Sequence, residues 1–304
     1  MSSLQIIAFL VAVADLALCG LISNGFIVTM KITEWAKSKR LTSSNQLLLS
    51  IGISNCISTI STAMYLLCKF LTDTRNCILV QILNGVANFA VYCRFWLTAL
   101  LCVFNCIKIV NSNHSVFLWC KMRISWLIPQ LLVGSLVISM IVSIFTVQQG
   151  SIQSKSNTTA NIRNVTQAKT LIPLSTSYKL LFLSVGSGCP LLVVLLCSIL
   201  VVASLCRHVC RMTSKESSFR SLQAEAHVRA AGTVLSLLIL YLLLYLTENA
   251  TILIDADKYR FFYLFMGFVY APAQATILIL VNPKLNQEAT RMLTRTKSNF
   301  SGPN

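Results

Sequence analysis

Charge is scarce in this chain, and acid is scarcest. Only 11% of the 304 residues are charged, with 9 Asp and Glu and 3 His. A soluble domain carries about twice that charged fraction. So few acids and histidines, with no nucleophile–base grouping and no metal triad, count against an enzyme. No metal and no cofactor are expected. The last apolar stretch contains no Lys, which counts against a retinal Schiff base. No charged pore lining suggests a ligand-gated channel. Neither an inverted repeat nor a pair of interrupted apolar segments suggests a transporter.

Cysteine is plentiful but unevenly placed. None of the twelve falls between Cys120 and Cys189. Cys68 and Cys77 flank one short loop and either pair or remain two thiols. The others sit in or near apolar runs and read as small packing residues. Cys206-Arg207-His208-Val209-Cys210 is read as a helix end with bland or acylated cysteines, not as a metal site.

What the chain has in abundance is long apolar runs. Seven of them cover roughly Leu4–Met30, Gln46–Leu67, Ile78–Val110, Ile124–Val147, Leu180–Cys206, Val228–Leu253 and Phe261–Val281. About 20 apolar residues cross a bilayer as a helix, and lipid forces each segment to satisfy its own backbone. The expected fold class is an all-α membrane protein, a seven-transmembrane helix bundle of the G-protein-coupled receptor type. One receptor domain over residues 1–304 is expected, with no separate soluble unit. The first run begins at Leu4 without a basic leader and is too long for a signal core, so it is read as the first span.

The net charge of +16 does not point to nucleic acid, because its placement follows the positive-inside rule. Of the 25 Lys and Arg, sixteen fall in one set of loops and ends: Lys31, Lys37, Lys39, Arg40, Lys108, Lys121, Arg123, Arg207, Arg211, Lys215, Arg220, Arg229, Lys284, Arg291, Arg295 and Lys297. Eight fall in the other: Lys69, Arg75, Lys155, Arg163, Lys169, Lys179, Lys258 and Arg260. The remaining one, Arg94, lies inside a span. The sixteen-charge side is expected to face the cytoplasm, putting the N-terminus outside a multi-pass plasma-membrane protein. The inside tail is about residues 282–304. The long outside loop, about 148–178, is rich in Ser, Thr, Asn and Gln. It carries two glycosylation sequons, at Asn157 and Asn164.

The usual rhodopsin-class signatures are missing. The third span ends Asn105-Cys106-Ile107-Lys108-Ile109, with no Asp-Arg-Tyr, the sixth has no Cys-Trp-x-Pro, and Asn282-Pro283 has no Tyr three residues on. Other motifs run in order through nearly the whole chain. They are Ser23-Asn24-Gly25-Phe26-Ile27, then Trp96 through Lys108-Ile109, and Ser115-Val116-Phe117-Leu118. Further on come Ser204-Leu205-Cys206-Arg207-His208 with Met212, Ala226-His227-Val228-Arg229-Ala230, and Ile277 through Pro283-Lys284-Leu285. On these the chain resembles the bitter taste receptors, the type 2 taste receptor family, as a divergent member. Vomeronasal type 1 pheromone receptors are the nearest alternative, and Ser204-Leu205-Cys206-Arg207-His208 favours the former.

The resemblance implies a small-molecule bitter agonist bound in the outer third of the bundle and coupling to a heterotrimeric G protein of the gustducin type. Ala87, Asn88, Val91 and Tyr92 are expected to contact the ligand from the third span and Gly186 from the fifth. Leu244, Tyr245 and Glu248 would do so from the sixth, and Leu264 and Gly267 from the seventh. Small residues at Ala87, Gly186 and Gly267 would leave volume, and Tyr92 and Tyr245 would offer stacking. Glu248 would favour amines. Lys108, Arg207, His208, His227 and Arg229 would face the G protein, although basic residues there also meet anionic membrane lipid. The family's second-span Arg is Asn55 here and its seventh-span His is Gln274.

Charges inside spans are expensive, about 3 kcal/mol each on insertion scales. Three stand out: Asp15, Arg94 and Glu248. Asp15 is expected to make a packing or polar contact within the bundle. Arg94 either only locks helix packing, contacts the ligand directly, or supplies from the third span the cation lost at Asn55, in a core polar network where Asn24, Asn55 and Gln274 hydrogen-bond it.

Overall fold

The computed structural model describes residues 3–71, 78–110, 115–160, 182–212, 220–253 and 260–300. All regular structure among the described residues is helical. Helix α1 is Ser3–Ser38, α2 is Ser43–Leu71, α3 is Ile78–Ile109 and α4 is Ser115–Ala160. Helix α5 is Cys189–Met212, reached through a π-helical stretch Phe182–Gly188. Helix α6 is Arg220–Leu253, α7 is Arg260–Val281 and α8 is Pro283–Phe300. Spans long and apolar enough to cross a membrane occur in α1 to α5 and in α7. The apolar part of α6 is Gly232–Glu248, inside a helix of 34 residues, which at about 1.5 Å per residue is more than enough to cross. The protein is a seven-helix membrane bundle with an eighth helix following it.

Two features add to the sequence reading. The membrane-length apolar part of α4 ends at Gln148, and the helix itself continues to Ala160 and carries Asn157; Asn164 lies outside the described residues. The tail carries a helix of its own, because Pro283 starts α8. Proline suits a first helical position, where its missing N–H would be unpaired anyway. Asn282 caps that helix, its Oδ1 accepting from the Leu285 N–H at 3.3 Å. At the other boundary, α1 stops where Lys39 takes a left-handed φ of 51° and its N–H returns to the Trp35 carbonyl.

Helix α3 is the hub, packed against α2, α4, α5 and α6, and buried almost without break from Ala90 to Cys106. Large apolar side chains point outward from the others: Leu18 and Ile22 on α1, Ile141 and Ile144 on α4, Leu196 and Ile199 on α5. In water such a surface would aggregate; in lipid it is the matching solvent. Polar groups are turned inward instead, including Asn24, Asn55, Arg94, Thr98 and Gln274. Backbones come close where side chains vanish. A Cβ on Gly52 would sit 2.9 Å from a Val28 methyl, and one on Gly20 would sit 3.3 Å from Cδ of Pro272.

Candidate functional site

The polar core is built by four helices contributing one face each. Asn55 Nδ2 on α2 donates to Asn24 Oδ1 on α1 and to Gln274 Oε1 on α7, both at 2.9 Å. Asn24 Nδ2 donates to the Gly20 and Ala271 carbonyls. Gln274 Nε2 donates to Thr98 Oγ1 at 2.9 Å and to the Tyr270 hydroxyl at 3.0 Å. Thr98 has one proton and gives it to the Arg94 carbonyl at 2.7 Å. The 3.0 Å contact between Thr98 Oγ1 and the Tyr270 hydroxyl must therefore use the Tyr270 proton. The result is one directed chain of hydrogen bonds across α7, α1, α2 and α3.

Arg94 joins this network differently from the sequence expectation. Its side chain hydrogen-bonds none of Asn24, Asn55 and Gln274 among the described contacts. The guanidinium carbon lies 5.1 Å from the centre of the Tyr270 ring. Helical spacing explains the difference: Thr98, four residues on, is the α3 side chain level with Gln274, and Arg94 sits one turn further out. Arg94 is 5% exposed, and its Nε has no hydrogen-bond partner. A desolvated cation over a ring gains about 2 kcal/mol, while burying a charge in a protein costs several. The ring alone does not balance the burial.

Glu248 acts on Arg94 electrostatically from α6. It lies one turn beyond Leu244, which is buried in the main core, while Tyr245 packs half-buried against that core. On α3, Ala87, Val91, Arg94 and Thr98 recur at i, i+4, i+7 and i+11 and form one stripe. On α7, Gly267, Tyr270 and Gln274 form another, and the position a Cβ would take on Gly267 is open, with nothing within 4 Å. Of the expected site residues, Glu248 is the one whose charge reaches the α3 stripe, at Arg94, and α6 packs against both α3 and α7.

Other expected contacts are placed elsewhere. Tyr92 is 1% exposed, with its hydroxyl 2.9 Å from Thr146 on α4. A Cβ on Gly186 would meet the Tyr92 ring at 3.2 Å. Gly186 therefore admits the Tyr92 ring rather than leaving volume for a ligand. Leu264 packs with Val13, Leu66 and Phe268 on the α1–α2 side. Asn88 is half-buried and donates to the Asn84 carbonyl one turn back. Asp15 is exposed and not inside the bundle, because it lies about 200° around α1 from the buried Val13.

At the inner end, Lys108 is exposed in the last turn of α3 with Nζ over the Phe104 ring at 4.3 Å, and Arg207 is exposed on α5. His208, His227 and Arg229 lie on α5 and α6, with side chains outside the described set. Cys68 is half-buried on α2, and Cys77 lies outside the described residues. Sequence reasoning missed Tyr270 and Thr98, though both are one turn from residues it marked. It also missed a buried ion pair near the inner face. Lys31, 2% exposed, is 3.0 Å from one carboxylate oxygen of Glu34, and Lys284 at the start of α8 is 3.0 Å from the other. Among the described residues no group of His, Cys, Asp and Glu could hold a metal.

A family model described as Taste receptor protein (TAS2R) matches residues 1–297. Taste receptor type 2 member 9 of Homo sapiens is 28% identical over 294 residues, 94% of this chain and 93% of that one. Taste receptor type 2 member 8 of Pongo pygmaeus is 28% identical over 293 residues, covering 94% and 95%. Taste receptor type 2 member 41 of Rattus norvegicus is 31% identical over 255 residues, covering 80% of each chain.

Proposed function

This chain belongs to the type 2 taste receptor family and is a bitter taste receptor, a G-protein-coupled receptor and not an enzyme, and from that premise we propose where its agonist binds. The agonist is a small apolar or amphipathic molecule seated among α3, α6 and α7. Ala87, Val91, Leu244, Tyr245, Glu248 and Gly267 form its walls. The observation that supports this is that Glu248 of α6 reaches Arg94 of the Ala87–Val91–Arg94 stripe on α3, with α6 packed against both α3 and α7. Asn88 borders the pocket, and Tyr92, Gly186 and Leu264 support it from behind. Glu248 gives the outer mouth a negative pole that draws amine-bearing agonists.

The agonist works by binding one arrangement of the bundle better than another. The favoured arrangement opens the inner ends of α3, α5 and α6, where Lys108, Arg207, His208, His227 and Arg229 meet a gustducin-type G protein. The receptor sits in the plasma membrane with its N-terminus outside and glycans on Asn157 and Asn164. Calcium imaging of cells carrying the chain and a promiscuous gustducin chimera, against a panel of bitter compounds, tests the reading. A specific response lost in Tyr245→Ala is expected. Silence across the panel, with the receptor verified at the surface, would overturn it.

A further inference from the structure

We propose that Arg94 forms an anion site at the floor of the pocket, taking one small monovalent anion, either a halide from solution or the carboxylate end of an agonist. Arg94 is almost wholly buried, and its Nε donor has no partner. Its described neighbour is the Tyr270 ring, whose centre lies 5.1 Å from the guanidinium carbon. The ion pairs among the described residues are Lys31–Glu34, Lys284–Glu34 and Arg291–Glu288, and Arg94 is in none of them. Glu248 acts on it through space.

A ring satisfies a cation but offers no acceptor to a planar N–H edge; a carboxylate or halide does. The proposed approach is from the outer side, one turn above Tyr270, where a Cβ on Gly267 would meet no atom within 4 Å. Below, Thr98, Tyr270 and Gln274 use their hydrogen bonds on each other, so nothing there competes for the anion. The site takes a single negative charge, matching the single charge of Arg94. Only the agonist source rests on the pocket proposed above; the halide source does not.

The test uses the full-length receptor in phosphatidylcholine nanodiscs. Chloride replaces gluconate at constant ionic strength while thermal unfolding is followed. Ligand linkage gives a saturable rise in apparent Tm with chloride, kept in Arg94→Lys and absent in Arg94→Gln. In cells, matched carboxylate and carboxamide compounds, such as benzoate and benzamide, are compared. A carboxylate preference of about tenfold in potency, lost in Arg94→Gln, identifies the agonist as the source. A chloride-dependent rise identifies the halide. A wild-type receptor flat in chloride and indifferent to carboxylate overturns the proposal without any variant. So does a chloride effect of equal size in Arg94→Gln. Should no compound of any charge elicit a response, the bitter-agonist pocket fails while the chloride measurement still decides this site.

Discussion

Among the described residues two cations, Lys31 and Arg94, are buried, and their surroundings are opposite. Lys31, 2% exposed, has the Glu34 carboxylate at 3.0 Å, and the same carboxylate holds Lys284. Arg94, 5% exposed, has an aromatic face and an orphaned Nε. Lys31 lies at the inner end, where α1 turns and α8 begins, and its partner is supplied by its own helix one turn on. Arg94 lies in mid-bundle, one turn outward of Thr98. The difference teaches that burial alone does not say what a charge is for. A paired one ties elements together, and one whose donor is unmet is the one on which a ligand is proposed.

The comparison breaks first at Glu34. Glu34→Gln removes the only described partner of a buried ammonium and should destabilise the receptor by about 3 kcal/mol, read as lower surface display and lower Tm in nanodiscs. The double change Lys31→Met, Glu34→Gln should recover most of that loss, and a double variant as unstable as the single would show that Lys31 needs no partner. Asn55→Ala comes next. It cuts the chain of hydrogen bonds between Asn24 and Gln274 and should cost about 1 to 2 kcal/mol in the same assay; no change would mean that the network is not under strain to stay closed. Arg94→Met gives the smallest effect, within about 1 kcal/mol of wild type, because removing an incompletely satisfied buried charge is close to neutral. A fall as large as that of Glu34→Gln would place Arg94 with Lys31 as a structural charge.

The helix count was legible because lipid leaves a spanning segment little choice but to be a long apolar helix, and the family was legible from co-linear motifs. Asn24, Asn55 and Gln274 were marked as core residues and do hydrogen-bond in series. What could not be read was register between helices. Thr98 and Tyr270 are 172 residues apart, and no local pattern fixes which turn of α3 stands beside which turn of α7. The same gap put Arg94 one turn from its expected partners and hid the packing of Tyr92 against Gly186. Asp15 was assigned inward from the expense of a charge in a span, but helix phase decides direction, and Val13, Gly20, Asn24 and Ile27 already occupy the inward face of α1.

One consequence follows from the π-helical stretch that leads into α5. A wider turn offsets the backbone hydrogen bonds and frees carbonyls for donors from outside the helix. The Ser187 carbonyl accepts such a bond from the Tyr241 hydroxyl at 3.0 Å. That link between α5 and α6 is held by main chain on one side, so no side-chain exchange at 187 removes it. Tyr241→Phe would. Deleting one residue from Phe182–Gly188, which narrows the turn and withdraws the carbonyl, would too. A helical wheel drawn through Cys189–Met212 therefore loses its phase when extended outward past Gly188, and a substitution scan along this helix should change its beat there.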